Sequence, residues 1–202
     1  MKKIAFLVFL LAVCVASSRA QESRQDISLS GTGLIEPFMA SSTTVQVHST
    51  TAYGAMLSYR FMLTPTSAIE ANYGITYQNS LGYFVNPNHY NVLTRTQEIS
   101  GAFVRSFVYK NFNPFVEGGP AGFIFLPIRN SGTTNLDVKQ QTQVGAMFGA
   151  GIAYEVSPSF DIRAEYRGLV TKVPTFNDTQ FTTNRWYRPW ISSPVIGVAY
   201  HF

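Results

Sequence analysis

The chain has 202 residues, with 15 Lys and Arg against 11 Asp and Glu for a formal charge of +4, three histidines and a single cysteine. One cysteine excludes both a disulfide framework and a thiolate metal centre. Three of the four excess positive charges lie in the first twenty residues, so no basic cluster remains to carry a nucleic-acid surface.

Lys2 and Lys3 precede an apolar run from Ile4 to Val15, and Ser18-Arg19-Ala20 places small residues at signal-peptidase spacing. Residues 1–20 therefore read as a secretory signal cleaved after Ala20, taking Cys14 with it. The remaining domain, 21–202, carries 12 basic against 11 acidic residues. The apolar run is too short to span a membrane as a helix, and no later segment offers about 18 consecutive apolar residues. A mature chain that enters a membrane must do so as strands.

From Asp26 the sequence alternates with period two, Ile27, Leu29, Gly31, Gly33 and Ile35 opposite Ser28, Ser30, Thr32, Leu34 and Glu36. Ser41 to Thr50, rich in Ser and Thr, reads as a first long loop. A second strand, Thr51 to Leu63, sets Tyr53, Leu57, Tyr59 and Phe61 against Gly54, Met56, Ser58 and Arg60. Thr64-Pro65-Thr66 is a tight turn into a third strand ending near Gln78, with Ile69, Ala71, Tyr73, Ile75 and Tyr77 apolar and Glu70, Asn72 and Thr76 on the other face. Asn79 to Arg95 reads as a second long loop. The fourth strand covers about Thr96 to Tyr109, where Arg105 falls on the apolar parity and is expected to snorkel or to follow a bulge. After a turn at Lys110 to Asn113, the fifth strand runs from Pro114 to Leu126; Pro120 within it predicts a bulge, since a closed barrel has no free edge. A third loop spans Pro127 to Gln141.

The clearest pattern is Gln143 to Val170. Val144, Ala146, Phe148, Ala150, Ile152 and Tyr154 alternate with Gly145, Met147, Gly149, Gly151 and Ala153, and Ser157-Pro158-Ser159 makes the turn. Phe160, Ile162, Ala164 and Tyr166 then alternate with Asp161, Arg163, Glu165 and Arg167. Small residues of one strand face charged residues of the next, which leaves room for long side chains in an enclosed space. A fourth loop, Lys172 to Arg188, precedes the eighth strand, in which Ile196, Val198, Tyr200 and Phe202 share a parity. Eight strands of about twelve residues, joined alternately by short turns and long loops, predict an all-β, eight-stranded, antiparallel up-and-down transmembrane β-barrel with an apolar exterior and polar interior. A soluble sandwich or lipocalin-like barrel is the rival, and strand length and outward aromatics weigh against it.

Phe148-Gly149-Ala150-Gly151-Ile152-Ala153-Tyr154 through Ser157-Pro158 to Arg163-Ala164-Glu165-Tyr166-Arg167 resembles the penultimate hairpin of small bacterial outer-membrane barrels of the OmpA-like and OmpX-like class. Tyr200-His201-Phe202 is similar to the C-terminal assembly signal of that class, carried by Tyr200 and Phe202. The resemblance implies a bacterial outer-membrane location, outer-membrane lipid as surroundings, insertion by the barrel-assembly machinery, no cofactor, and an extracellular ligand met through the loops. In one respect the chain departs from full-length OmpA proteins: it stops at the eighth strand, so their peptidoglycan-binding domain, and with it a cell-wall tether, is expected to be absent.

The inferred interior holds Arg60, Glu70, Glu98, Glu117, Asp161, Arg163, Glu165 and Arg167. Eight strands enclose a lumen just wide enough for side chains to fill, so a packed network of paired charges is expected in preference to a gated ion path. Trp186, Tyr187 and Trp190 are expected to anchor at the membrane interface. His48, His89 and His201 lack a pattern for nucleophilic catalysis, and no cluster has metal-ligand spacing. The expected function is a non-enzymatic barrel with a structural or surface-interaction role through four long loops. A narrow channel for small solutes or hydrophobic molecules is the alternative, and a lipid-modifying enzyme the third reading.

Overall fold

A computed structural model describes residues 24–36, 39–40, 45–85, 88–128, 138–177, 181 and 189–202. The signal segment 1–20, Trp186 and Tyr187 lie outside these. Ten strands are present: β1 (Gln25–Leu34), β2 (Met39–Ala40), β3 (Val45–Ser49), β4 (Ala52–Thr64), β5 (Ser67–Val85), β6 (Asn88–Ser106), β7 (Phe112–Pro127), β8 (Gln141–Ser157), β9 (Phe160–Val170) and β10 (Trp190–His201). Each of β4 to β9 pairs antiparallel with its successor, and β1 pairs with both β4 and β10. The result is a closed eight-stranded barrel, with β2 and β3 as an extension beside β5. Closure leaves no spanning strand with a free edge, which lipid requires.

Side chains alternate as the period-two pattern dictates. Val144 and Tyr53 are 76% and 74% exposed, while Asp26, Ser28, Ser58, Arg60 and Glu70 on the opposite parity are buried. Tyr53 and Phe61 bound the lipid-facing part of β4. Eight steps of roughly 3.4 Å, tilted by roughly 40°, give an apolar band about 21 Å tall, close to that of outer-membrane barrels.

The short turns at 65–66, 107–111 and 158–159 share one rim with the ends of β1 and β10, where the Phe202 amide donates to the Gln25 carbonyl at 3.0 Å. Short turns and termini define the periplasmic side.

Four local expectations change. The segment read as the second loop is mostly strand: β5 and β6 stay paired from Asn79↔Thr94 to Val85↔Asn88, above the barrel wall. A register shift between Thr76 and Asn79 moves the inward parity from even to odd numbers, turning Leu81 and Tyr83 inward and hiding the continuing strand from a strict period-two reading. The first loop likewise contains β3, which pairs with this extension. β6 ends at Ser106, short of Tyr109, and Arg105 near its periplasmic end faces outward while its Nη1 donates to Ser67 Oγ at 2.7 Å. No bulge forms at Pro120. β7 keeps one register with β6 and β8, and the β6–β7 ladder skips only the pairs opposite Gly119 and Pro120. Gly119 permits this close approach, since a Cβ there would collide with the Gly101 carbonyl.

The small residues of β8 fill the role their spacing suggests. Gly149, Gly151 and Ala153 stand opposite Arg167, Glu165 and Arg163 on β9. A Cβ at Gly151 would lie 2.6 Å from the Phe115 ring and 2.7 Å from Glu165 Cβ. Gly151→Val is therefore expected to destabilise the folded barrel by at least about 1–3 kcal/mol through overpacking. Ala150→Val, on the lipid-facing side, should be close to neutral; urea unfolding followed by heat-modifiable gel mobility compares the two.

Candidate functional site

The lumen has two layers of different chemistry. The lower, periplasmic layer is charged. Arg60 on β4 and Glu70 on β5 are direct cross-strand neighbours, and Arg60 Nε donates to Glu70 Oε2 at 2.6 Å. The Arg60 guanidinium also lies 4.8 Å over the Phe115 ring. Arg163 Nη2 donates to Asp26 Oδ2 at 2.7 Å, reaching past β10. Arg167, 1% exposed, is the hub: Nη2 donates to Glu98 Oε1 at 2.7 Å and Ser100 Oγ at 3.1 Å, Nη1 points at Met56 Sδ, and Nε faces Glu117 and Glu165 at 3.4 and 3.8 Å. His201 Nε2 lies 2.9 Å from Asp161 Oδ2.

All eight charged residues picked out by parity line this layer, brought together from β4, β5, β6, β7 and β9. Asp26 is absent from that set although it shares the parity of Ser28 and Ser30. Its pairing partner is 137 residues away, and nothing local in the sequence signals that bond. Below the layer a cavity of about 210 Å³ is lined by Asp26, Arg60, Phe115, Asp161, Arg163 and His201.

The upper layer is apolar. Leu34, Leu81, Val92, Phe123, Phe125, Met147, Leu169 and Ile191 form a continuous buried cluster. The segment after β9 turns inward over it and adds Val173, Phe176 and Phe181, each at most 3% exposed. Tyr83 stacks on Phe181 at 4.4 Å between centroids, and its hydroxyl donates to the Pro174 carbonyl at 2.6 Å. Gln141 Oε1 accepts from the Thr175 and Phe176 amides at 2.7 and 2.8 Å. Those bonds hold a tight turn in which Phe176 and Asn177 adopt left-handed φ of 51° and 62°. Left-handed backbone is costly for a bulky residue, and full burial of the Phe176 ring offsets it.

Beside this cap, Glu36 is buried just above the barrel wall. Asn79 Nδ2 donates to Glu36 Oε1 at 2.9 Å, and Ser49 Oγ donates to Asn79 Oδ1 at 2.8 Å. Burial pushes the Glu36 carboxyl above its usual range, against hydrogen bonds from Ser49 and Asn79 that lower it.

On the outer wall Trp190 packs against Phe148 at 4.3 Å between centroids, both rings covering Gly168, where a Cβ would strike either one. At the periplasmic rim Tyr200 lies between Phe160 and Phe202, with centroids 5.1 and 6.2 Å away. His48 and His89 sit apart, on β3 and the outer end of β6, and the His89 ring packs on Phe84. Among the described residues no group of three or more His, Cys, Asp or Glu is arranged to hold a metal ion.

A closed eight-stranded barrel with lipid-facing aromatics, inward charges and short turns on one rim is a bacterial outer-membrane barrel. The chain belongs to the outer membrane protein beta-barrel domain family, whose model matches residues 5–202. The fold is similar to that of the outer membrane protein OprG from Pseudomonas aeruginosa, with a TM-score of 0.63 at 11% identity over 90% of this chain and 97% of that one. It is also similar to Neisserial surface protein A, with 0.61 at 15% identity over 89% and 98%, and to the N-terminal barrel of Pseudomonas aeruginosa OprF, with 0.53 at 16% over 90% and 100%. No curated protein sequence matches the chain. The family and the barrel place the protein in the bacterial outer membrane.

Two substitutions probe the layers separately. Arg167→Ala leaves Glu98, Glu117 and Glu165 without their shared cation and should cost about 3–5 kcal/mol in urea unfolding. Gln141→Ala strips an acceptor from two amides of the cap and should cost about 1–3 kcal/mol, with faster protease cleavage near residue 176 while the barrel stays heat-modifiable.

Proposed function

We propose that this protein is a non-enzymatic outer-membrane barrel that presents a surface for interaction outside the cell and does not form an open pore. Residues 1–20 direct export and are removed. The assembly machinery reads Tyr200 and Phe202, and Trp186, Tyr187 and Trp190 seat the barrel in the outer leaflet. The charged residues of the lower layer serve as a packed internal scaffold.

The observation that carries this reading is the filled lumen: Arg167 and its carboxylates occupy the lower layer, and the apolar cluster with Phe176 and Phe181 fills the upper one. The cap and the extended β5–β6 hairpin form an ordered platform above the membrane, where binding residues are usually held. A narrow channel is the second reading, favoured by small cavities within the lumen, separated by the Arg60–Arg163 layer and by Met56.

Planar-bilayer recording of the purified barrel and liposome swelling separate the two. The platform reading expects only rare, small conductance in the wild type, and still small conductance in Arg163→Ala despite its lower thermal stability. A large, stable wild-type pore would sink it. This reading also expects unaltered lipid A on overexpression.

A further inference from the structure

The charge balance inside the barrel is unequal. Among the described residues, Asp26, Glu36, Glu70, Glu98, Glu117, Asp161 and Glu165 face the lumen or its mouth, against the guanidiniums of Arg60, Arg163 and Arg167. Even with His201 charged, seven acids meet four cations. Most acids have a cation within 4 Å: Glu70 has Arg60, Asp26 has Arg163, Asp161 has His201, and Glu98, Glu117 and Glu165 share Arg167. Glu36 is different. Its neighbours among the described residues include the neutral side chains of Asn79, Ser49 and Tyr83.

Glu36 is also one wall of a small chamber. The carboxylates of Glu36 and Glu98 line it with the side chains of Thr32, Thr76, Thr96 and Ser193, in an otherwise apolar surround. Its volume is about 20 Å³. That exceeds the roughly 10–15 Å³ needed for one water-sized occupant and leaves no room for a large one. Thr96 is 5% exposed and its Oγ1 has no hydrogen-bond partner. A carboxylate with no cation beside it among the described residues is costly in an apolar layer, and so is an unsatisfied buried hydroxyl.

We propose that this chamber binds one small monovalent cation, of the size of potassium or ammonium, held between Glu36 and Glu98 by carboxylate and hydroxyl oxygens. Hard cations prefer such an all-oxygen set. Two carboxylates, one already engaged by Arg167, supply too little charge for a divalent ion. The cation neutralises Glu36 and joins the apolar layer to the charged one. The site is independent of whether the barrel conducts.

The test uses the whole barrel purified in detergent, melted at fixed ionic strength in potassium, ammonium or choline chloride, with gel mobility reporting the folded fraction. Potassium and ammonium should raise the melting midpoint over choline by about 3 °C, with a saturable dose dependence. Glu36→Gln should remove the difference. Glu155→Gln, at an exposed carboxylate on β8, should keep it. If Glu36 is a protonated carboxyl bonded to Asn79, or the chamber holds only water, the three salts give one midpoint in the wild type and the proposal fails. A second measurement needs no variant: crystals soaked in rubidium chloride should show an anomalous peak between Glu36 and Glu98, and an empty chamber in such crystals overturns the assignment.

Discussion

Lipid offers no hydrogen bonds to a backbone, and that constraint governs this molecule. A sheet can cross the hydrocarbon layer only if its edges meet, so β1 must find β10. Once the sheet is closed, alternation leaves each side chain two environments. Apolar residues go out to the lipid, and most charged side chains of the spanning strands go into a lumen that eight strands make narrow. The ion pairs, the bare glycines of β8 and the stacked outer aromatics follow from that division.

Within the lumen the limiting quantity is volume. Gly149 and Gly151 give up side chains so that Arg167, Glu165 and Phe115 can cross the axis. Buried pairs of this kind add little net stability compared with well-packed apolar side chains, but each depends on its partner being present. The upper layer uses apolar packing instead, and reaches outside the barrel wall for it: β3, the raised ends of β5 and β6, and the segment after β9 all contribute rings or aliphatic side chains. The cap is therefore continuous with the barrel's own core.

The fold was legible because the pattern that specifies it is local. Period two in β4, β8 and β9 marks strand, face and length at once, and Pro65 and Pro158 mark turns. Legibility fails where the period breaks. The extra residue between Thr76 and Asn79 reverses the parity of β5, so Leu81 and Tyr83 read as loop residues among Asn and Pro. Arg60, Glu70 and Arg167 could be assigned to the interior from parity alone, yet the choice of partner could not. Arg163 meets Asp26, and Arg167 meets Glu98 in preference to its neighbour Glu165, through a cross-section that no stretch of sequence encodes. Glu36 and the cap around Phe176 were hidden for the same reason.

The seam between β1 and β10 also bears on how the barrel forms. Seven of its eight ring pairings join strands that follow one another along the chain, and can form as hairpins or after a modest loop. The eighth joins Asp26 to His201. Closing a loop of that length costs about 4–5 kcal/mol of chain entropy. Until it closes, two spanning strands carry unpaired edges that hydrocarbon will not tolerate. Insertion and closure are thereby coupled into one late, cooperative event, and partly assembled barrels are driven to finish or to stay out of the membrane.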